Sequence, residues 1–428
     1  MLVQPIVFAS DQDRIVLIPA PLVRTPNLFL VDSGRPEVTV VDLPDRLVAQ
    51  TYFKKRRNRS DSISVLLMLN DRCNLACSYC FERQVSRTNQ QLSEEDARCA
   101  IDFIIQNAMN NDSKEIFISL FGGEPSLSLP LVHKIVGYAK DRCASHNRHV
   151  NFGITTNGFF DEDTCSYITD TFSSVILSID GPPALQDRNR RTVSGHSTFE
   201  RVFRNAKRLF AAYSNEKLTF RVTMTRCNNS DSKSLVDFFE KFFPGAFVHV
   251  EPAMIMGEKC DPISLYASFA EAFKSMLAIT QTIHLQHSTL LFKFRHNMGE
   301  IDYCGASRSN FYVTPDGRLT ACSRVLRLQD PHADLFSIGS LTGGKIHIDN
   351  DVHDRLSAMT LDAYPTCQGC IARFNCKGGC PWMRAHLPDM PDFWSRYCTI
   401  TRDLTKYYLA SCLKVGSNAA FNVDSLDV

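Results

Sequence analysis

The sequence lacks an excess of charge of either sign. Its 47 Lys and Arg residues nearly balance its 46 Asp and Glu residues, which leaves a formal net charge of +1. A protein that recruits nucleic acid or a membrane surface through its overall field needs a strong excess of one sign. We therefore expect neither nucleic acid nor a membrane among the partners of this chain.

The chain also lacks a long apolar run and an export signal. No stretch approaches the roughly 20 apolar residues of a membrane-spanning helix, and the N-terminus has neither the basic segment nor the small-residue cleavage site of a signal peptide. We therefore expect a cytoplasmic protein. The 428 residues, 44% of them hydrophobic, are enough for two or three domains with a large core.

Cysteine, in contrast, is abundant, with 16 residues. In a cytoplasmic protein, this number favours metal or redox chemistry over disulfides. Ten of the cysteines fall into two patterned groups, and the others are scattered. A free cysteine usually behaves as a small buried apolar residue. We expect this core role for the scattered ones, which are Cys99, Cys143, Cys165, Cys227, Cys260 and Cys412.

The first patterned group has the spacing C-x3-C-x2-C and comprises Cys73, Cys77 and Cys80. Three such thiols can bind three irons of a cubane [4Fe-4S] cluster and leave the fourth iron open. Half of a zinc site is the alternative, although zinc knuckles more often begin with C-x2-C or C-x4-C. The apolar run 63–69 before the group is typical of a buried parallel strand. The cysteines therefore follow a strand, where barrel enzymes place their active sites.

From residue 61 to about 285, apolar strands alternate with helical patterns, which indicates a parallel α/β domain. Six β/α units are two short of a closed barrel, so we predict a partial (β/α)6 TIM-like barrel with a lateral opening that admits a large substrate. The predicted strands are 63–69, 115–121, 149–155, 174–179, 217–225 and 246–252. The predicted helices are 93–109, 128–144, 161–171, 197–213, 231–242 and 262–281.

Polar and glycine residues follow three successive predicted strands. Glycines allow a close backbone approach to a ligand, and a carboxylate in a fixed turn can accept from an ammonium group. Each set alone is an ordinary β-to-α turn. Together they are expected to converge on one pocket at the strand ends. These residues are Gly122, Gly123, Glu124, Pro125, Thr156, Asn157, Ser178 and Asp180.

The two ends of the chain differ from the barrel. Residues 1–60 alternate apolar runs with turn residues, which suggests a small β-rich module; its basic run 54–59 is either a solvated linker or a contact for an acidic peptide. The second cysteine group lies near the other end, where C-x2-C pairs are also common zinc ligands. It comprises Cys304, Cys322, Cys367, Cys370, Cys376, Cys380 and Cys398.

The C-x3-C-x2-C motif, with Tyr79 before its last cysteine and Phe81 after it, resembles the signature of the radical S-adenosylmethionine (SAM) superfamily. The resemblance implies that the open iron chelates SAM and that SAM is cleaved reductively to a 5'-deoxyadenosyl radical. It also implies that Arg190 clamps the SAM carboxylate and that Ser178 contacts its ribose or carboxylate. The other residues implied in cofactor binding are Tyr79, Phe81, Gly122, Gly123, Glu124, Pro125, Thr156, Asn157 and Asp180.

The second cysteine group resembles the SPASM extension of radical SAM peptide-modifying enzymes, which houses two auxiliary [4Fe-4S] clusters. The resemblance implies a barrel at 61–297 and a SPASM domain with a C-terminal helix at 298–428. By this likeness Cys304, Cys322 and Cys380 hold the first auxiliary cluster. The second is held by Cys367, Cys370, Cys376 and Cys398.

One departure from the sulfatase-maturing relatives narrows the function. The segment 311–322 predicts a hairpin through its Pro-Asp-Gly turn, and the hairpin ends at Cys322. Those relatives carry a further cysteine shortly after the first of the array, and an aspartate that serves as base follows their cysteine at the position of Cys322. Here no cysteine lies between Cys304 and Cys322, and Ser323 and Arg324 follow Cys322. The formylglycine hypothesis therefore lacks its base, and the first auxiliary cluster lacks one protein ligand by this pattern.

The resemblance implies a maturase that installs a carbon-carbon or thioether cross-link on a ribosomally synthesised precursor peptide. Its expected cofactors are three [4Fe-4S] clusters and SAM, and its expected partners are the peptide and an electron donor such as ferredoxin or flavodoxin. One alternative is modification of a Ser or Cys side chain on a protein substrate. The other is a non-catalytic metal-bound scaffold, which has no use for the polar strand ends.

Overall fold

The computed structural model describes two sheets. The described residues are 6–9, 13–18, 27–32, 62–80, 89–213, 217–226, 228–253, 262–286, 303–306, 311–367, 370, 372 and 376–414. One sheet is antiparallel and has the order β1-β2-β3. Its strands fall where the sequence predicts a β-rich module, and they are β1 (Ile6–Ala9), β2 (Asp13–Ile18) and β3 (Asn27–Asp32). The basic run 54–59 lies outside the described residues.

The second sheet contains the predicted α/β domain. Its six main strands lie side by side in chain order and pair in parallel. They are β4 (Ser62–Met68), β5 (Glu115–Phe121), β6 (His149–Thr156), β7 (Ser174–Ser178), β8 (Leu218–Met224) and β9 (Phe247–Pro252). Their bounds and those of the predicted helices differ from the sequence-based expectation by at most two residues.

Helices cover one face of this sheet. Those of the α/β domain are α1 (Glu94–Asn110), α2 (Leu129–Ser145), α3 (Glu162–Thr171), α4 (Pro183–Asn189), α5 (Phe199–Ala212), α6 (Ser232–Phe242) and α7 (Pro262–Ile279). The first of them shows why the bounds are sharp: the Ser93 side chain accepts from the backbone N–H of Asp96, and three acidic residues occupy the first turn. Both features stabilise a helix N-terminus. The short helix α4 is absent from the sequence-based prediction.

Two short parallel strands extend the predicted six. The strand β10 (His284–Gln286) pairs with β9, and β11 (Tyr312–Val313) pairs with β4 on the opposite side. Within the described residues β10 and β11 do not pair with each other, so the partial-barrel class is confirmed. The sheet continues antiparallel from β11 into β12 (Arg318–Thr320), β13 (Ser337–Thr342) and β14 (Lys345–Ile348).

The C-terminal part therefore joins the barrel through the sheet, across the predicted boundary near residue 297; the domain division itself stays a prediction. A second junction is made by the last helix, because Tyr397 stacks on Tyr266 of α7 at 4.8 Å. None of the described helices is long and apolar enough to cross a membrane. The remaining helices are α8 (Ala333–Phe336), α9 (Asn350–Ser357), α10 (Pro381–His386) and α11 (Pro391–Lys414). Short 3-10 turns are Pro125–Ser128, Asn229–Asp231, Leu361–Ala363 and Pro365–Cys367.

The core lies between the helices and the sheet. Cys143 and Cys165 are buried in it, and Cys99 packs against it partly buried, as expected for scattered cysteines. Cys227 and Cys260 lie outside the described residues, as does the side chain of Cys412.

Candidate functional site

Residues 73–80, which we call the cysteine loop, follow β4 and are tied to the segment after α4. The Ala76 amide donates to the Arg191 carbonyl at 2.7 Å, and the Ser78 amide donates to the Asn189 carbonyl at 2.9 Å. The Ser78 hydroxyl also donates to the Asn189 side chain at 3.2 Å. The loop is therefore fixed against the far side of the pocket as well as against its own strand.

The glycines after β5 pack on the chain that enters the cysteine loop. The Gly123 amide donates to the Asn70 carbonyl at 2.8 Å, and the Glu124 amide donates to the Arg72 carbonyl at 2.7 Å. A Cβ atom on Gly123 would lie 2.1 Å from the Arg72 oxygen. Gly122 has a φ of +148°, and a Cβ atom there would lie 2.6 Å from the Asn70 oxygen. These glycines therefore permit close approach to the cysteine loop, a contact that the sequence does not reveal.

The Glu124 side chain is only 1% exposed and accepts three hydrogen bonds from the protein. The Thr156 hydroxyl and the Asn157 amide each donate at 2.7 Å, and the Ser126 amide donates at 3.1 Å. Burial raises the pKa of this carboxyl group. The sequence predicts that the carboxylate accepts from a ligand ammonium; here it joins the ends of β5 and β6. Pro125 is buried in the short turn that Glu124 caps.

Asn157 connects the end of β6 to the first cysteine. Its side-chain amide lies 3.6 Å from the Cys73 sulfur and donates to the Asn74 side chain at 2.8 Å. Its oxygen accepts from the Phe159 amide at 2.8 Å. The side chain is therefore held with its N–H groups toward the cysteine loop.

Two buried side chains, Asp180 and Arg190, and the half-buried Tyr79 form a chain of hydrogen bonds behind Cys77. Arg190 donates to the Tyr79 hydroxyl at 2.6 Å, and Tyr79 donates to the two Asp180 oxygens at 3.0 and 2.8 Å. The Thr223 amide donates to Asp180 at 3.2 Å. Burial raises the pKa of Asp180, while the charge of Arg190 lowers it. Burial also raises the pKa of Cys77, while the charge of Arg190 lowers it.

Arg190 is 6% exposed, and its Nε is buried without a hydrogen-bond partner among the described residues. A buried guanidinium N–H normally has a partner. The geometry therefore fits a ligand carboxylate beside Cys77, since a guanidinium recognises a carboxylate through two parallel bonds. Ser178 lies half-buried at the end of β7, opposite Arg221 of β8. Phe81 lies outside the described residues.

The thiols of the cysteine loop fit an iron-sulfur cluster. Burial, with the charge of Glu124, raises the pKa of Cys73 to about 12, and the charge of Cys77 adds to this. Such thiols become thiolates readily only when a metal compensates their charge. No three His, Cys, Asp or Glu side chains of the described residues form the tight group that one ion requires. A cubane needs a wider arrangement because each cysteine binds a different iron.

The structure places Cys304 and Cys380 near Cys322, and Cys367 and Cys398 near Cys370. The charges of Cys380 and Cys304 both act on Cys322, whose pKa is raised by burial. Cys367 and Cys398 likewise act on Cys370, whose pKa is also raised by burial. Cys376 lies partly buried against the core, near Tyr397. The assignment of these cysteines as cluster ligands stays a prediction.

One buried ion pair joins the two cysteine-bearing regions. Arg327 Nη2 lies 3.4 Å from Asp71 Oδ2, and the two side chains are 10% and 7% exposed. Asp71 precedes Cys73 by two positions, and Arg327 follows Cys322 by five. Neither residue is predicted from the sequence, because 256 positions separate them and neither belongs to a motif.

Comparisons with known proteins agree with this geometry. Residues 67–239 match the family model of the radical SAM superfamily. The cysteine-type anaerobic sulfatase-maturating enzyme of Clostridium perfringens is 22% identical over 363 residues, which cover 81% of this chain and 96% of that protein.

Two solved structures share the fold. Native anSMEcpe with bound AdoMet and Kp18Cys peptide has a TM-score of 0.65 at 20% identity, over 83% of this chain and 99% of that one. Streptococcus suis SuiB bound to precursor peptide SuiA has a TM-score of 0.50 at 15% identity, over 82% and 80%. The cysteine loop, the strand-end residues and the partial barrel agree with these matches, so residues 67–239 form a radical SAM domain and the chain is an enzyme.

Proposed function

We propose that this enzyme is a maturase that installs an intramolecular cross-link, either carbon-carbon or thioether, on a ribosomally synthesised precursor peptide. The observation that carries the proposal is the Asp71–Arg327 ion pair. It ties the cysteine loop, where a radical is generated, to the turn after Cys322. Oxidative bond formation needs both a hydrogen acceptor and an electron acceptor, and this arrangement supplies neighbouring sites for the two.

The residues around the cysteine loop have separate tasks in this proposal. Cys73, Cys77 and Cys80 would hold a [4Fe-4S] cluster, which would supply the electron for reductive cleavage of SAM to a 5'-deoxyadenosyl radical. Arg190 receives the SAM carboxylate, because its buried Nε has no partner among the described residues. Tyr79 holds the guanidinium in place through its hydroxyl group.

The polar strand ends position the rest of the cofactor. Glu124 fixes the ends of β5 and β6 through its three hydrogen bonds. Ser178 ends β7 and lies beside β8, whose Thr223 amide donates to Asp180. Gly122, Gly123 and Pro125 lie in the turn after β5 that contains Glu124. Thr156 and Asn157 lie beside this turn at the end of β6, so SAM binds where the turns after β5 and β6 meet.

The C-terminal region supplies the auxiliary clusters in this proposal. The first is held by Cys304, Cys322 and Cys380, and Cys304 is exposed. The side of the site next to Cys304 is therefore open to a large substrate. The second is held by Cys367, Cys370, Cys376 and Cys398. A ferredoxin or flavodoxin delivers the electrons, and residues 1–60 contact the precursor peptide.

A second candidate is modification of a Ser or Cys side chain on a protein substrate. Similarity to the sulfatase-maturating enzyme over 96% of that protein favours it. The turn Cys322, Ser323, Arg324 weighs against it, because no carboxylate follows the cysteine there.

Co-expression with each short open reading frame beside the gene, followed by mass spectrometry of the encoded peptide, separates the two. Cross-linking predicts loss of two hydrogen atoms per modification without an aldehyde, since oxidation of Ser to an aldehyde gives the same mass change, and no loss when Cys73, Cys77 and Cys80 are all replaced by Ala. Unmodified flanking peptides together with oxidation of the Kp18Cys peptide would favour the second candidate and overturn the first.

A further inference from the structure

Four neighbouring strands align polar side chains on the face that the helices leave free. Ser178 of β7 is in register with Arg221 of β8, Arg221 with His249 of β9, and His249 with Gln286 of β10. Neighbouring strands lie about 4.8 Å apart, so these positions form a continuous row. The residues between them point to the opposite face and are buried in the core; they are Leu177, Val222, Val250 and Leu285.

His249 has a carboxylate partner on its own strand. Its Nε2 lies 2.6 Å from Glu251 Oε1, and the two side chains are 19% and 17% exposed. A carboxylate that accepts from Nε2–H leaves the other ring nitrogen, Nδ1, as the proton acceptor. Within the part of the chain that the structure describes, Nδ1 has no hydrogen-bond partner. The imidazole is therefore oriented with a basic nitrogen available in a partly shielded place.

This pair lies beside the radical site. Glu251 is in register with Thr223, whose amide donates to Asp180 at 3.2 Å. Asp180 in turn accepts from Tyr79, which lies between Cys77 and Cys80 in the loop. The pair is thus separated from Asp180 by the single strand β8, a separation on the order of two strand spacings, or about 10 Å.

We propose that His249 is the catalytic base of the peptide reaction and that Glu251 is its positioning residue. The inference rests on the proposed function. Each oxidation under consideration removes one hydrogen atom, one proton and one electron from the substrate. The hydrogen atom forms a C–H bond in 5'-deoxyadenosine. As the new substrate bond forms, its X–H or C–H bond breaks, the proton moves to His249 Nδ1, and the electron passes to a one-electron acceptor of the iron-sulfur class.

The other members of the row cannot take this proton. Arg221 faces His249 from β8 and carries only donor N–H groups, and Gln286 faces it from β10 as a neutral amide. His284, the other histidine on β10, is in register with Phe247 and stacks on that ring at 4.8 Å. It provides a matched control, since it lies on the same face without a carboxylate partner among the described residues.

The substrates for the test are fully deuterated peptides from the flanking reading frames and the Kp18Cys peptide. Each is incubated with wild-type holoenzyme or with holoenzyme carrying His249→Gln, Glu251→Gln or His284→Gln. The product formed per 5'-deoxyadenosine is measured together with the deuterium in that nucleoside. We expect His249→Gln still to transfer deuterium but to lower product per 5'-deoxyadenosine by roughly a hundredfold, the usual scale of general base catalysis. The product formed per 5'-deoxyadenosine in Glu251→Gln should lie between the values for His249→Gln and wild type, and that in His284→Gln should equal the wild-type value.

The experiment distinguishes failure of the proposed function from failure of the base assignment. Wild-type enzyme that transfers no deuterium from any of the peptides would contradict the proposed function. Deuterium transfer with wild-type product ratios in His249→Gln would overturn the assignment of the base alone.

A measurement without peptide tests the same geometry. In holoenzyme with isotope-labelled histidine, the nitrogen NMR signals that disappear in His249→Gln should show a proton on Nε2 and a bare Nδ1. Glu251→Gln should abolish this preference. A proton on Nδ1 in the wild-type enzyme would overturn the inference even if the peptide chemistry is intact.

Discussion

Arg190 and Tyr79 are joined by a hydrogen bond of 2.6 Å from the guanidinium Nη1 to the phenol oxygen. Tyr79 is a member of the cysteine loop, whereas Arg190 follows α4 more than a hundred positions later. Asp180 completes the chain by accepting from Tyr79. The guanidinium is thus fixed beside Cys77 by the cysteine loop, and its buried Nε has no hydrogen-bond partner among the described residues.

Replacing Arg190 by Lys should weaken SAM binding about tenfold to a hundredfold. A charge-assisted bond in a partly desolvated site contributes on the order of 1.5 to 3 kcal/mol, and an ammonium group lacks the paired geometry of a guanidinium. SAM titration into cluster-loaded protein measures the change. Arg188→Lys and Arg191→Lys are controls, since both side chains are exposed and exposed charges contribute about 0 to 1 kcal/mol. Equal small losses at all three positions would remove Arg190 from the SAM pocket.

Replacing Asn157 by Ala should lower the midpoint potential of the cluster on the cysteine loop. The Asn157 amide approaches the Cys73 sulfur at 3.6 Å, and hydrogen bonds to cluster sulfurs stabilise the reduced state by offsetting its negative charge. A redox titration followed by electron paramagnetic resonance measures the potential. Asn151→Ala is the matched control, because Asn151 lies on β6, the strand that Asn157 follows, and donates to the Glu115 side chain at 3.0 Å. An unchanged potential in Asn157→Ala would show that the contact has no electronic effect.

Two Gly→Ala variants should have opposite effects on stability. In Gly123→Ala the new Cβ would lie 2.1 Å from the Arg72 oxygen, so the turn must separate from the cysteine loop at a cost of about 1 to 3 kcal/mol. In Gly137→Ala, within α2, the new Cβ has no atom within 4 Å, and Ala should stabilise the helix by about 0.5 to 1 kcal/mol. Denaturant unfolding measures both free energies. Equal effects would refute the tight approach at Gly123.

Anaerobically reconstituted protein should hold about twelve irons, four for each of three cubanes. Elemental analysis measures iron and zinc together. Replacing Cys73, Cys77 and Cys80 by Ala should remove about four irons and leave the others bound, because the C-terminal cysteines share no ligand with the loop. Bound zinc with four or fewer irons would instead support the zinc alternative for the C-terminal group.

The sequence predicts the main strands and helices because their apolar periodicity extends over whole elements. The hairpin predicted over 311–322 is confirmed by the antiparallel pair β11 and β12. The sequence does not predict β10, since a strand of three residues carries too little pattern, nor the parallel pairing of β11 with β4. The pairs Asp71–Arg327 and His249–Glu251 are not predicted for another reason. The first depends on a contact between segments far apart in sequence, and the second depends on which face of β9 the helices leave uncovered. Glu124 shows the limit of a motif, which does not reveal that the carboxylate accepts hydrogen bonds from Ser126, Thr156 and Asn157.

The central claim is that a radical formed at the cysteine loop takes a hydrogen atom from a peptide. The most direct measurement is the mass of 5'-deoxyadenosine produced by wild-type enzyme, SAM and a fully deuterated flanking peptide under reducing conditions. The account predicts one deuterium in each nucleoside formed during turnover and no nucleoside from the variant lacking Cys73, Cys77 and Cys80. Modified peptide with deuterium-free nucleoside, or nucleoside that still accumulates in that variant, would contradict it.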